Sequence, residues 1–192
     1  IPDGKDKYPL YPFATTVAAG KVEVDGTLGE WPTAKPWVWM ESHGIRLNGW
    51  SAYDANYLYF TFELSGPWTR ISVVTDQDAD GFYCGNDNVY VRVMGDRANG
   101  PRLESARVHM CAMNRWPYFD DKQEHFRQDD MLFAGGVTDG KQVFELALPR
   151  DPKLGLELKK GEEIGLMVYV GLENGASLAL FEPWAIFDFE LR

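Results

Sequence analysis

Apolar residues recur at every second position along most of this chain, and that period restricts the fold to sheets. Leu58, Phe60, Phe62 and Leu64 alternate with Tyr57, Tyr59, Thr61 and Glu63. Val89, Val91 and Val93 alternate in the same way with Tyr90, Arg92 and Met94. Side chains of a strand point to opposite faces in turn, so each run offers one core face and one polar-aromatic outer face. Further runs at 21–24, 45–53, 71–75, 107–113, 143–148, 164–170 and 186–191 read as strands. A strand through Trp37 and Trp39 is possible as well, both rings sharing one face. Asp25-Gly26, Asp54-Ala55-Asn56, Gly66-Pro67, Asn99-Gly100-Pro101, Asp139-Gly140 and Asn174-Gly175 supply turns between them. Helical spacing is almost absent. About nine short strands without intervening helices predict an all-β protein, a single antiparallel β-sandwich of immunoglobulin-like or jelly-roll-like type.

The sandwich accounts for residues 21–192. Residues 1–20, extended by prolines in Tyr8-Pro9-Leu10-Tyr11-Pro12, read as an N-terminal arm or linker. Residues 114–130, rich in charge and aromatics, read as a long surface loop. With 19 Lys and Arg against 29 Asp and Glu, the chain carries a formal net charge of −10. Phosphate neutralisation needs a basic stripe, so nucleic acid is excluded as a partner, and an anionic membrane surface is disfavoured. No apolar run approaches the roughly 18 residues of a membrane span. Cations and neutral ligands suit such a charge.

One loop has metal spacing. Asp76, Asp78 and Asp80 stand at positions 1, 3 and 5, Gly81 at 6, Phe82 at 7 and Asp87 at 12. Alternate side chains of a tight turn converge their oxygens, position 7 offers a carbonyl, and the glycine allows the bend. The flanks read as strands, not helices, so the fitting version is a structural calcium loop between two strands. Asp87 in place of the usual Glu predicts affinity in the ~0.1–1 mM range of extracellular modules.

Seven tryptophans are the second signal. Trp31, just after an early turn, reads as a core plug. Trp68, Trp116 and Trp184 adjoin Pro67, Pro117 and Pro183, at loop or strand ends where an indole can lie open and stack on the C–H face of a sugar. Catalytic patterns are thin. Gly175-Ala176-Ser177-Leu178-Ala179 lacks a strand–turn–helix context and reads as a loop. Asp120/Asp121 and Asp129/Asp130 read as surface clusters, and the three histidines have no metal spacing. Cys84 and Cys111 either pair or stay as free thiols.

Several strings together resemble family 9 carbohydrate-binding modules and the wider DOMON-like group. Val22-Glu23-Val24-Asp25-Gly26-Thr27-Leu28-Gly29-Glu30-Trp31 is similar to their opening segment, and Tyr53-Asp54-Ala55-Asn56-Tyr57-Leu58-Tyr59-Phe60 to a turn and strand that follow. Gly85-Asn86-Asp87-Asn88-Val89-Tyr90-Val91, Val143-Phe144-Glu145-Leu146-Ala147-Leu148-Pro149 and Phe187-Asp188-Phe189-Glu190-Leu191 continue the series in order. The resemblance implies a secreted, periplasmic or cell-surface module without catalysis, tethered to other domains and often holding structural calcium. It implies a glycan clamped between two Trp rings. The first is missing before Asp87, so Tyr83 or Phe82 substitutes for it, and Trp184 is the C-terminal partner. With Trp116 and Trp68 these form the candidate carbohydrate site. Two alternatives are a haem-binding electron-transfer domain, for which His109, Met110 and Met113 are the neighbourhood, and a spacer without ligand.

Overall fold

A computed structural model describes residues 11–12, 22–31, 36, 38–76, 88–109, 131–151, 163–175, 177–179 and 187–190. They form two sheets facing each other. The strands are β1 (Tyr11–Pro12), β2 (Val38–Ser42), β3 (Ile45–Tyr53), β4 (Tyr57–Ser65), β5 (Trp68–Asp76), β6 (Asn88–Met94), β7 (Arg102–His109), β8 (Leu132–Thr138), β9 (Lys141–Pro149), β10 (Glu163–Leu172), β11 (Ser177–Ala179) and β12 (Phe187–Glu190). One sheet runs β1-β12-β10-β5-β6-β7 with β11 also on β10; the other runs β2-β3-β4-β9-β8. All pairs are antiparallel except β1 on β12, where Tyr11 of the expected arm lies opposite Phe189. No helix occurs among the described residues, and none there is long and apolar enough to cross a membrane.

The predicted alternation builds the interior. Leu58, Phe60, Phe62 and Leu64 of β4 meet Val89, Val91 and Val93 of β6 and Ile164, Leu166, Val168 and Val170 of β10 in one buried cluster. Phe62 and Phe144 stack across β4 and β9 with centroids 5.0 Å apart. Burial of these two inner faces is the main source of stability.

Several expectations change. Ser177–Ala179, expected in a loop, is a strand paired with β10. Residues 22–24 do not form a strand; 22–31 runs as an irregular strap over the outside of the five-stranded sheet. Trp68 is a core residue, 3% exposed, and its ring has no free face for a ligand. The cause is a bulge: Gly171 pairs with Arg70, but Leu172 pairs with Trp68, skipping Thr69. A skipped residue reverses the side-chain alternation and turns the indole inward. Gly95 lies against the ring, where a Cβ would come within 3.2 Å of it. The strand β8, unread from the sequence, forms one edge. Its Gly135 and Gly136 admit close backbone contact, since a Cβ on Gly135 would come within 2.0 Å of the Pro101 carbonyl oxygen and one on Gly136 within 2.6 Å of that of Gly26. The strap and the β6–β7 connection therefore both close on this edge.

Candidate functional site

The outer face of the seven-stranded sheet carries the residues best suited to a ligand. Alternation sends Ser72 and Val74 of β5, Tyr90 and Arg92 of β6, and Met167 and Tyr169 of β10 to that side, because their neighbours Ile71, Val73, Val89, Val91, Val168 and Val170 fill the core. Register then assembles two rows. Met167, Val74 and Tyr90 lie side by side, as do Tyr169, Ser72 and Arg92. The two tyrosines stand two strands and one row apart, ~12 Å by strand spacing and rise.

Their polar ends are fixed. The Tyr90 hydroxyl accepts from Arg92 Nη2 at 3.0 Å and Nε at 3.3 Å, and shares a hydrogen bond of 2.9 Å with Ser72 Oγ. Because Arg92 only donates, the Tyr90 O–H is left to donate to Ser72. The guanidinium also sits 5.4 Å from the Tyr90 ring centre and 3.5 Å from Glu104. These hydrogen bonds hold Arg92 above its ordinary value, Tyr90 being the largest cause. Desolvation, then the neighbouring Tyr90, raises Tyr169, so its ring stays a protonated hydroxyl-bearing plane at neutral pH. Half-buried aromatic planes beside locked donors and acceptors provide stacking and directed hydrogen bonds together.

The opposite outer face, on the five-stranded sheet, is closed. Glu145 of β9, 1% exposed, stands at its centre. Its Oε2 accepts the backbone N–H groups of Asp25 and Gly26, each at 2.7 Å, and its Oε1 accepts Trp31 Nε1 at 2.6 Å and Thr61 Oγ1 at 3.4 Å. Trp31, Val22, Tyr59, Ala52 and Ala147 bury one another around it, so the expected plug role of Trp31 holds. Desolvation pushes the Glu145 carboxyl above its ordinary 4.5, although the N–H donors pull the other way. Carboxylate oxygens of Asp25, Glu30 and Glu145 lie within 4.8 Å of one another. With both Glu145 oxygens already engaged by donors, this group reads as the anchor of the strap. Beyond the strap, Tyr59 donates to Asp54 Oδ2 at 2.7 Å. Burial would raise Asp54, but this bond, the N–H groups of Asn56 and Tyr57 and the charge of Arg150 outweigh it and lower its pKa.

The sequence-predicted site residues fall as follows. Asp76, first of the calcium-spaced set, ends β5 and is 1% exposed. Asp78, Asp80, Phe82, Tyr83, Asp87, Trp116, Trp184, Cys84 and Cys111 lie outside the described residues, as do Met110 and Met113. His109 ends β7 opposite Asn88. Tyr90 and Arg92 were visible as the outer phase of β6. Tyr169 and Ser72 were hidden inside apolar runs, and only register reveals their proximity. Glu145 carries no role in the sequence pattern; its signal is a lone charge within Val143–Leu148, which demands partners when buried.

No family model matches the chain, and no curated protein matches it. Solved structures do. A family 9 carbohydrate-binding module from Caldicellulosiruptor kristjanssonii in complex with cellotriose is similar, with a TM-score of 0.57, 13% identity, and 90% of each chain covered. The glucose complex of a family 9 module from the same organism is similar too, at a TM-score of 0.58 and 12% identity over 90% of this chain and 92% of that one. At this identity it is the course of the backbone that is shared, and this chain has the two-sheet β-sandwich fold of the family 9 carbohydrate-binding modules.

Proposed function

We propose that the chain is a non-catalytic carbohydrate-binding module that holds a neutral glycan on the outer face of its seven-stranded sheet. The observation that carries this reading is the Ser72, Tyr90, Arg92 and Tyr169 network on a fold whose relatives are described with glucose and cellotriose. The rings offer stacking planes, and the fixed polar groups meet hydroxyls without ordering cost. Trp184, Trp116 and Tyr83 are proposed to complete the clamp. Asp76, Asp78, Asp80, Asp87 and the Phe82 carbonyl are proposed to hold a structural calcium. The buried end of β5 at Asp76 supports this, since a carboxylate so placed is suited to a cation. Calcium would supply charge compensation and fix the loop; the side chains of the sheet face would orient the glycan. The module is proposed to act outside the cytoplasm, tethered to further domains.

Affinity electrophoresis against soluble polysaccharides, with calcium and with EDTA, tests the reading. Retardation with an affinity between about μM and mM is expected, weakened in Trp184→Ala. A panel without any retarding glycan overturns it.

A further inference from the structure

Tight turns of the sandwich meet at one end. Gly66-Pro67 between β4 and β5, Arg97 between β6 and β7, and Gly140 between β8 and β9 line an open cleft of about 370 Å³. That volume falls at the lower end of small-ligand clefts, ~300–1,000 Å³. Pro67, backed by the fully buried Leu64, gives it an apolar wall, and Ser65, Arg97 and Gln142 give it polar groups.

The polar groups are oriented. Gln142 is 4% exposed, and its Oε1 accepts the Asp96 N–H at 2.9 Å, so its Nε2 remains the donor. Arg97 Nη2 donates to Glu173 Oε1 at 2.6 Å, which leaves Nε and Nη1 of the guanidinium and Oε2 of the carboxylate. That pair cancels its own charge and sets donors beside an acceptor, the arrangement two adjacent hydroxyls require. A chain of net charge −10 adds no attraction for an anion. The β4–β5 turn is closely packed, since a Cβ at Gly66 would come within 2.0 Å of the Gly44 carbonyl oxygen, whereas a Cβ at Gly140 would meet nothing within 4 Å and point into open space.

We infer that this cleft is a second saccharide subsite, taking one neutral hexopyranose unit with its hydroxyls on Gln142, Ser65 and the Arg97–Glu173 pair and its C–H face on Pro67. It lies among the turns and not on the sheet face of the proposed function, and shares with it only the ligand class.

Amide spectra of the whole chain titrated with glucose and cellotriose, with sodium acetate and glucuronate as comparators, test it. Shifts at Gly66 and Gly140 that saturate at ~1–10 mM glucose are expected. They should weaken at least about fivefold in Arg97→Ala and persist in Tyr90→Ala. Both Arg97 and Glu173 are exposed, so the variant keeps the fold. Unmoved turn amides, movement by acetate alone, or shifts untouched by both Arg97→Ala and Ser65→Ala overturn the inference. Cleft shifts without shifts at Ser72, Tyr90 or Tyr169 leave it standing and remove the sheet-face reading; the converse removes this inference alone.

Discussion

The two sheets turn unlike outer faces to their surroundings. On the five-stranded sheet, the 22–31 strap covers Tyr59, Ala52 and Ala147, and a buried carboxylate ties it down through two backbone N–H groups and the Trp31 indole. On the seven-stranded sheet, the partly exposed Tyr90 and Arg92 make a network of similar density with the buried Ser72. The difference is exposure, since both networks are closed by the chain's own groups. Glu145 is satisfied by the chain itself, so its face contributes to folding. The Tyr90 face keeps Tyr90, Arg92 and Tyr169 half-buried around the buried Val74, Met167 and Ser72. One alternation rule thus yields an anchor on one side and a candidate recognition surface on the other.

The comparison is most easily broken at Trp31. Trp31→Ala should cost ~3–5 kcal/mol, because it empties a buried site and removes a donor from a buried carboxylate. Denaturant melts should show the loss; a cost below about 1 kcal/mol would mean the strap is dispensable.

A subtler change is Glu145→Gln, which keeps the shape but sets an amide NH₂ against N–H donors. A loss of about 1–3 kcal/mol is expected by the same melts.

The pH dependence of stability separates two carboxyl groups. Glu145, raised on folding, binds its proton more tightly in the native state. Its contribution is therefore full below about 4.5 and falls as pH rises through its raised folded value. Asp54, lowered on folding, contributes above its ordinary 3.8 and loses that as pH falls through its folded value. Subtracting the Glu145→Gln profile from that of the parent should leave a term declining with pH; a rising difference would contradict the burial argument.

The smallest stability change should come from Ser72→Ala, within about 1 kcal/mol, since Tyr90 keeps Arg92. Glycan affinity should nevertheless fall a few-fold, read by calorimetry.

Much of this was legible in the chain. The bounds of β3, 45–53, coincide with its alternating run, and Phe60 and Phe62 lie in the core as their phase predicted. Asp139-Gly140 and Asn174-Gly175 turn as their types require, with positive φ at Asp139, Gly140 and Gly175. What escaped reading depended on distant contacts. Val22 and Val24 alternate like a strand, yet the surface they cover belongs to β4 and β9. The two glycines of β8 admit close approach by Gly26 and Pro101, a contact that local spacing does not encode. A single skipped residue at the β10–β5 bulge moved Trp68 from candidate platform to core. Of the binding face, Tyr90 and Arg92 followed from phase, whereas Tyr169 and Ser72 join them only through the sheet order β10-β5-β6.

Calorimetric titration of cellotriose into Tyr90→Ala, beside its thermal melt, tests the division of labour most directly. The account predicts at least a tenfold loss of affinity with a melt that remains cooperative and far less displaced than that of Trp31→Ala. Parental affinity in Tyr90→Ala would contradict it and return the sheet face to an ordinary surface.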